Sequence, residues 1–277
     1  ILVAAATRIV ENGFMKSKTE LLLYRLFWLA EKPMRPTFRN IEQSFEGWAY
    51  QNGLIAQIER LESQGFLEAK RDPATGERLH RLTAAGRLAA GGGRDVNAAW
   101  GRKWDRRWRL FLFDVPECER SKRRKLTRAL SAAGCGCLQG SVWIAPTTPP
   151  ALATLMDEED AECSQLLLLH AESKGKRVDE QMVRAAWNFE AINERYQEAI
   201  AVMDRFSGVA SGGTRELLDE WTREESTAWR LALDGDPLLP EELLPADYLG
   251  REAWRRREAV LSEAARLAHA LGSERAP

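Results

Sequence analysis

Residues 106–170 carry the pattern that most constrains how this chain can fold. Apolar runs and turn signals there predict, in order, a strand at 106–114, a helix at 119–133, strands at 136–140 and 142–145, a helix at 150–157 and a strand at 164–170. The order β-α-β-β-α-β is that of the split βαβ, ferredoxin-like sandwich. We therefore predict an α+β protein with a ferredoxin-like middle domain over residues 98–174.

Three consecutive glycines, Gly91, Gly92 and Gly93, precede this domain. Glycine has no side chain to pack, so the sequence predicts a flexible glycine-rich linker over 91–97. A chain of 277 residues is longer than one typical domain. The linker therefore divides an N-terminal domain, 1–90, from the middle domain, and a third domain follows over 175–277.

The N-terminal domain is predicted to be a winged helix-turn-helix. A capping box beginning at Ser17 starts the first helix, and the other predicted elements are a short helix near 38–45, a helix over about 48–64 that stops at Gly65, and a hairpin of segments 66–71 and 78–82. In this fold the third helix enters the major groove and the hairpin tip contacts backbone phosphate. The candidate DNA-binding residues are Gln51, Asn52, Gln57 and Arg60 on the helix, with Lys70, Arg71 and Arg78 on the hairpin.

The distribution of charge favours a nucleic-acid-binding front half. The net charge is +3 over residues 1–93, +4 over 94–177 and −8 over 178–277, although the whole chain carries only −1. Solvated charge is the competing explanation. The third helix is also less basic than in many DNA-binding proteins, and winged helices also serve as protein-interaction modules.

The C-terminal third is predicted to be helical and acidic. Apolar residues follow one helical face from Met182 to Met203, and a second helix carries Leu217 to Trp229. Three prolines then interrupt helicity over 236–245, and a final helix follows.

Several classes of function lack support in the sequence. No apolar run approaches the roughly 20 residues that cross a bilayer, so we expect a cytoplasmic protein with no membrane partner. Four cysteines lack the paired spacing of a structural zinc site, and we expect reduced thiols, no metal and no cofactor. Phosphate-binding glycine loops and nucleophile elbows are absent, so an enzyme is not expected.

Three segments together resemble one family. Residues 108–117, with Arg120 and Arg124, and residues 138–146 look like the middle domain of the PaaX family, the phenylacetic-acid catabolism repressors. Residues 236–250 are similar to the C-terminal motif of that family, and residues 61–86 resemble bacterial winged-helix regulators. One departure concerns the recognition helix, where Ile55 stands at a position that often holds arginine in the family.

The resemblance implies a DNA-binding transcriptional repressor that acts as a homodimer on an operator. It also implies that the helical C-terminal part of the chain senses a small-molecule effector, an aryl-CoA thioester such as phenylacetyl-CoA. We expect that part to communicate with the N-terminal DNA-binding domain through the middle domain. The effector's phosphates would need cations, and the candidates are Arg106, Arg107, Arg123 and Arg124. A solvated helix face or a second DNA contact are the alternative interpretations of these arginines.

Two other functions remain open. The PaaX middle domain is itself similar to small CRISPR adaptation endonucleases, which use an aspartate at the end of the first strand, and Asp114 occupies that position. Asp114 can equally be a turn residue that caps the strand. The alternatives are therefore a metal-dependent nuclease using Asp114 and an interaction protein that has the same fold but does not bind DNA.

Overall fold

The computed structural model describes residues 19, 22, 23, 55–71, 78–115, 120–150, 152 and 166–273. The elements of this part of the chain are α1 (Ile55–Ser63), β1 (Leu67–Arg71), β2 (Arg78–Leu82), α2 (Ala84–Ala90), α3 (Val96–Trp100), β3 (Arg107–Phe113), α4 (Arg120–Ala132), β4 (Gly136–Gln139), β5 (Val142–Ala145), β6 (Leu166–Glu172), α5 (Lys176–Ala186), α6 (Phe189–Asp204), α7 (Phe206–Gly212), α8 (Arg215–Asp234), a 3-10 helix (Glu241–Leu243) and α9 (Gly250–Ser273). None of the described helices combines the length and apolar character needed to span a bilayer.

The chain divides into two compact units that are each discontinuous in sequence. The hairpin unit comprises residues 1–95, 196–233 and 251–277. The sheet unit comprises residues 96–195 and 234–250. Each unit thus combines segments that lie far apart along the chain.

In the hairpin unit, α1 leads directly into an antiparallel hairpin. Gly65 adopts a left-handed conformation, φ 74°, which ends the helix and turns the chain into β1. β1 pairs with β2 from Leu67 opposite Leu82 to Arg71 opposite Arg78. The structure confirms the predicted hairpin and the end of the third helix. The second helix and most of the first lie outside the described residues.

One hydrophobic core joins the N-terminal segment to the C-terminal helices. From the front of the chain it takes Leu22, Leu23, Ile58, Leu61, Phe66, Leu67, Leu82 and Ala90, and from the back Phe206, Leu218, Trp221, Leu261 and Ala264. Leu61 and Leu261 are 0% and 1% exposed, respectively. Burial of this kind contributes about 1.5–3 kcal/mol for each large apolar side chain. The front and back segments therefore stabilise each other directly.

The predicted glycine linker makes specific contacts with α8. The indole N–H of Trp229 donates to the carbonyl of Gly91 at 3.1 Å, and the guanidinium of Arg94 donates to the carbonyl of Leu233 at 2.6 Å. Gly92 has φ 107°, and a Cβ built there would lie 2.8 Å from a methyl carbon of Leu233. Glycine at this position permits both the backbone conformation and the close approach.

A four-stranded sheet in the order β4-β5-β3-β6 forms the centre of the sheet unit. Every neighbouring pair is antiparallel, and β5 lies between β3 and β4, which α4 connects. This is the split βαβ arrangement that the sequence predicts, and it confirms a central sheet domain. The predicted second helix, 150–157, lies almost wholly outside the described residues. One face of the sheet packs Phe111 and Phe113 against Leu130 of α4.

The opposite face of the sheet packs against α5 and the residue that follows it. The indole of fully buried Trp108 donates to Asp179 at 2.7 Å. A Cβ built on Gly136 would lie 2.5 Å from the ring of Trp187, so only glycine permits this contact. These contacts place the first helix of the predicted C-terminal domain in the sheet unit.

The helical face predicted from Met182 to Met203 is wrong in its continuity, because two helices share it. Trp187 is extended, φ −129° and ψ 138°, which ends α5 and accompanies the packing of its ring on Gly136. Asn188 then accepts a hydrogen bond from the backbone N–H of Ala191 at 3.1 Å and starts α6. A second break at Arg205 separates α6 from α7.

The proline-rich segment between α8 and α9 folds around a buried carboxylate. Asp236 is 2% exposed and accepts hydrogen bonds from the backbone N–H of Leu238, at 2.7 Å, and from the hydroxyl of Tyr248. The 3-10 helix is the only helical turn in residues 236–249, which confirms the predicted interruption.

Candidate nucleic-acid interface

Helix α1 presents a polar face to solvent. Its buried residues are Ile58 and Leu61, while Ala56, Glu59, Arg60 and Ser63 are exposed. The predicted contact residue Arg60 is therefore accessible to a ligand, and Gln57 is half-buried. Gln51 and Asn52 lie outside the described residues.

The hairpin concentrates basic residues at the end nearest its loop. Arg71 and Arg78 occupy directly opposite positions in the register, and Lys70 is opposite Leu79. The three basic residues of the predicted contact set therefore occupy the last two pairs of the strand register.

Polar contacts hold α1 against the hairpin. A carboxylate oxygen of Glu62 lies 3.1 Å from Nε2 of His80, whose side chain is almost fully buried. The hydroxyl of Thr83 donates to the carbonyl of Gly65 at 2.7 Å and accepts from the backbone N–H of Gly86 at 3.0 Å. The helix and the two strands therefore form one positioned element.

The four arginines predicted to bind effector phosphates fall into two groups. Arg106 and Arg107 lie at the start of β3. Arg106 is exposed, and Arg107 pairs with Glu172 at 3.0 Å. Arg123 donates to the hydroxyl of Ser141 at 3.2 Å, beside the far end of β3, where the backbone N–H of Phe113 donates to the Ser141 carbonyl. The two ends of β3 are six residue steps apart, which is about 20 Å, so the structure does not bring the two groups together.

Arg123 and Arg124 instead belong to a basic surface on α4. Arg120, Arg123, Arg124 and Thr127 line a shallow, open depression of about 380 Å³, and we name these four residues the arginine patch. Their spacing of three, four and seven residues places them on one helical face. Arg120 and Thr127 are absent from the sequence-predicted site, although this spacing was the signal that could have identified them.

Asp114 is exposed at the end of β3. Among the described residues, no group of three or more histidine, cysteine, aspartate or glutamate side chains is placed to hold a metal ion. Of the four cysteines, Cys135 is buried, Cys137 is half-buried and both are free thiols. Cys118 and Cys163 lie outside the described residues.

Two family models match the chain over the sheet and the C-terminal helices. The PaaX protein central Cas2-like domain matches residues 101–183, and the PaaX-like protein C-terminal domain matches residues 187–271. The chain belongs to the PaaX family. The N-terminal segment has no family-model match, so the predicted resemblance is confirmed for two of the three segments. PaaX-family proteins are known as transcription regulators, and these domains suggest a regulator of phenylacetate catabolism.

Other comparisons add little about function. No curated protein matches the chain significantly. A solved structure titled "Uncharacterized protein Rv0674 from Mycobacterium tuberculosis" has 21% sequence identity and a TM-score of 0.43, covering 80% of this chain and 85% of that chain. A likeness this distant carries no argument about the present chain.

Proposed function

We propose that this PaaX-family chain is a transcriptional repressor that binds double-stranded DNA through α1 and the β1–β2 hairpin. The observation that carries the proposal is the basic hairpin fixed to a helix with an exposed polar face, in a chain with two PaaX-family domains. The predicted winged helix-turn-helix would make this helix the recognition helix and the hairpin the wing.

The two elements would contribute differently to DNA binding. Lys70, Arg71 and Arg78 would neutralise backbone phosphates and so supply affinity that is independent of sequence. Gln57 and Arg60 would contact base edges, where an amide pairs with adenine and a guanidinium with guanine. Gln51 and Asn52 complete the proposed contact set.

Regulation by an effector and dimerisation belong to the same proposal. The shared core of the hairpin unit packs C-terminal helices against α1 and the hairpin, so a change in those helices on effector binding would act directly on the proposed DNA contacts. A coupling free energy of about 1–3 kcal/mol would change operator affinity about 5–150-fold. An aryl-CoA thioester is the proposed effector, and a homodimer would match a two-fold operator.

Binding to fragments of the host genome, followed by salt titration on a selected fragment, tests the proposal. Replacing Lys70 and Arg71 with alanine should weaken binding to all sequences. The negative slope of log K against log salt should become shallower by up to about 1.8, because each lost phosphate contact removes about 0.9 from its magnitude. The control variant Lys174→Ala/Arg177→Ala removes two exposed charges from the sheet unit and should leave the slope unchanged.

An unchanged slope in the hairpin variant would remove the hairpin from the interface. If the wild-type protein binds no duplex even at low salt, the interaction-protein alternative replaces the proposal. Cleavage of DNA that requires Mg²⁺ and is lost in Asp114→Asn would instead support the nuclease alternative.

A further inference from the structure

Helix α4 is unusually basic for a helix that also packs against the sheet. Its thirteen residues, RSKRRKLTRALSA, include six arginines or lysines and no acidic residue. Like charges three or four residues apart on a helix repel each other, so the sequence of α4 opposes its own stability. Leu130 is fully buried in the sheet unit's core and fixes which face is left for the charges.

Several other arginines in the described residues are paired with carboxylates. The ion pairs include Arg107 with Glu172 at 3.0 Å and, at 2.7 Å each, Arg109 with Asp105, Arg184 with Asp247 and Arg256 with Glu252. Within the described part of the chain, no carboxylate lies within ion-pairing distance of Arg123 or Arg124. Among the described residues, these two positive charges therefore have no carboxylate to neutralise them.

The arginine patch is also partly pre-organised. Arg123 is half-buried, and its guanidinium donates to Ser141 in the turn between β4 and β5. One turn of helix places Arg120 and Arg124 beside it, and Thr127 adds a hydroxyl to the same depression. Guanidinium groups held in a fixed arrangement match the geometry of phosphate oxygens and lose less freedom on binding.

The open shape of the depression favours a polymer over a small ligand. Pockets for small molecules bury roughly 70–90% of the ligand surface, whereas this depression is shallow and open. A continuous phosphate backbone can instead satisfy several arginines without being enclosed. We propose that the arginine patch binds the phosphate backbone of double-stranded DNA, as a contact surface in the sheet unit separate from the hairpin. This inference rests on the proposed DNA-binding function.

Salt titration of DNA binding by the full-length protein tests the assignment. Arg123→Gln/Arg124→Gln keeps hydrogen-bonding side chains but removes two charges. The magnitude of the slope of log K against log salt should therefore decrease by about 1.8 for any duplex sequence. Lys174→Gln/Arg177→Gln is the matched control because it also removes two positive charges from the sheet unit, and its slope should equal that of the wild type.

The outcomes separate this inference from the proposed function. If the Lys70/Arg71 variant shows the reduced slope while the Arg123/Arg124 variant behaves like the control, the patch assignment fails and the hairpin assignment stands. If the wild type binds no duplex, both fail. If both variants lower the slope and the control does not, both are supported.

A second titration distinguishes DNA from a small phosphorylated ligand. Inorganic pyrophosphate is the probe, measured by calorimetry with the wild type and the Arg123→Gln/Arg124→Gln variant. We expect only weak heat that does not saturate at micromolar concentrations. Saturable micromolar binding of pyrophosphate that the variant loses, together with an unchanged DNA salt slope, would overturn the assignment to DNA.

Discussion

Replacing Arg257 with methionine should destabilise the protein severely. Nε of Arg257 donates to Glu225 at 2.7 Å, and the two side chains are only 1% and 0% exposed. The guanidinium carbon also lies 4.6 Å from the centre of the Trp229 ring. Burial raises the pKa of Glu225, and Arg257 opposes that rise. Removal of Arg257 would leave a fully buried carboxylate without its cation.

The expected cost of that substitution follows from the burial. Breaking a buried ion pair from one side costs about 3–5 kcal/mol. A protein of this size loses about 2–4 °C of melting temperature for each kcal/mol, which predicts a decrease of about 6–20 °C in thermal unfolding followed by circular dichroism. Arg256→Met is the control, because Arg256 pairs with Glu252 on the exposed surface of the same helix, and its loss should cost less than about 1 kcal/mol.

A double variant supplies the decisive comparison. Arg257→Met/Glu225→Leu removes both charges, and exchange of a buried ion pair for apolar residues is often neutral or stabilising. We therefore expect the double variant to melt above Arg257→Met. The cycle is completed by the single variant Glu225→Leu. If the double variant melts below the wild type by the sum of the two single losses, Glu225 and Arg257 do not interact energetically and the reasoning is refuted.

Two further predictions concern ionisable groups of the sheet unit. The hydrogen bonds from Arg109 to Asp105 lower the pKa of Asp105 to about 2. The stability that this pair supplies is therefore fully present above the ordinary aspartate pKa of about 3.9 and is lost as the pH falls toward 2. A carboxyl-carbon NMR titration should show this pKa, and Arg109→Gln should return it toward 3.9; a wild-type value near 3.9 would contradict the prediction. Burial raises the pKa of the Cys135 thiol to about 12. Iodoacetamide at pH 8 should therefore alkylate Cys137 much faster than Cys135. Fragment-ion mass spectrometry can measure both rates, and equal rates would contradict the prediction.

Local patterns in the sequence were sufficient to predict much of the secondary structure. The aromatic run of β3, the glycine stop at Gly65 and the strands β1 and β2 each depend on residues close together in the chain, and all of them are present. Family resemblance extended this reasoning to the middle and C-terminal segments. The proposed DNA contacts stay predictions, and Gln51 and Asn52 lie outside the described residues.

Features that depend on distant residues could not be predicted in this way. Helical periodicity continues across residues 187–188, and the helix breaks there while Trp187 packs on Gly136, which is about fifty residues earlier. The absence of side chains at the three glycines predicts a flexible linker, but the backbone carbonyl of Gly91 accepts a hydrogen bond from Trp229. The four arginines proposed to bind an effector were chosen because they lie in one arginine-rich part of the sequence. In the structure, the length of β3 separates Arg106 and Arg107 from Arg123 and Arg124.

The shared core of the hairpin unit has a consequence for how the chain folds during synthesis. Phe66 and Leu82 emerge from the ribosome well before Leu261 and Ala264, which belong to the same core. At about 5–20 residues per second, the interval between Leu82 and Leu261 lasts roughly 9–36 s. Throughout that interval the apolar side of the hairpin lacks its full cover. A truncated fragment ending at residue 95 would therefore expose the same apolar surface permanently.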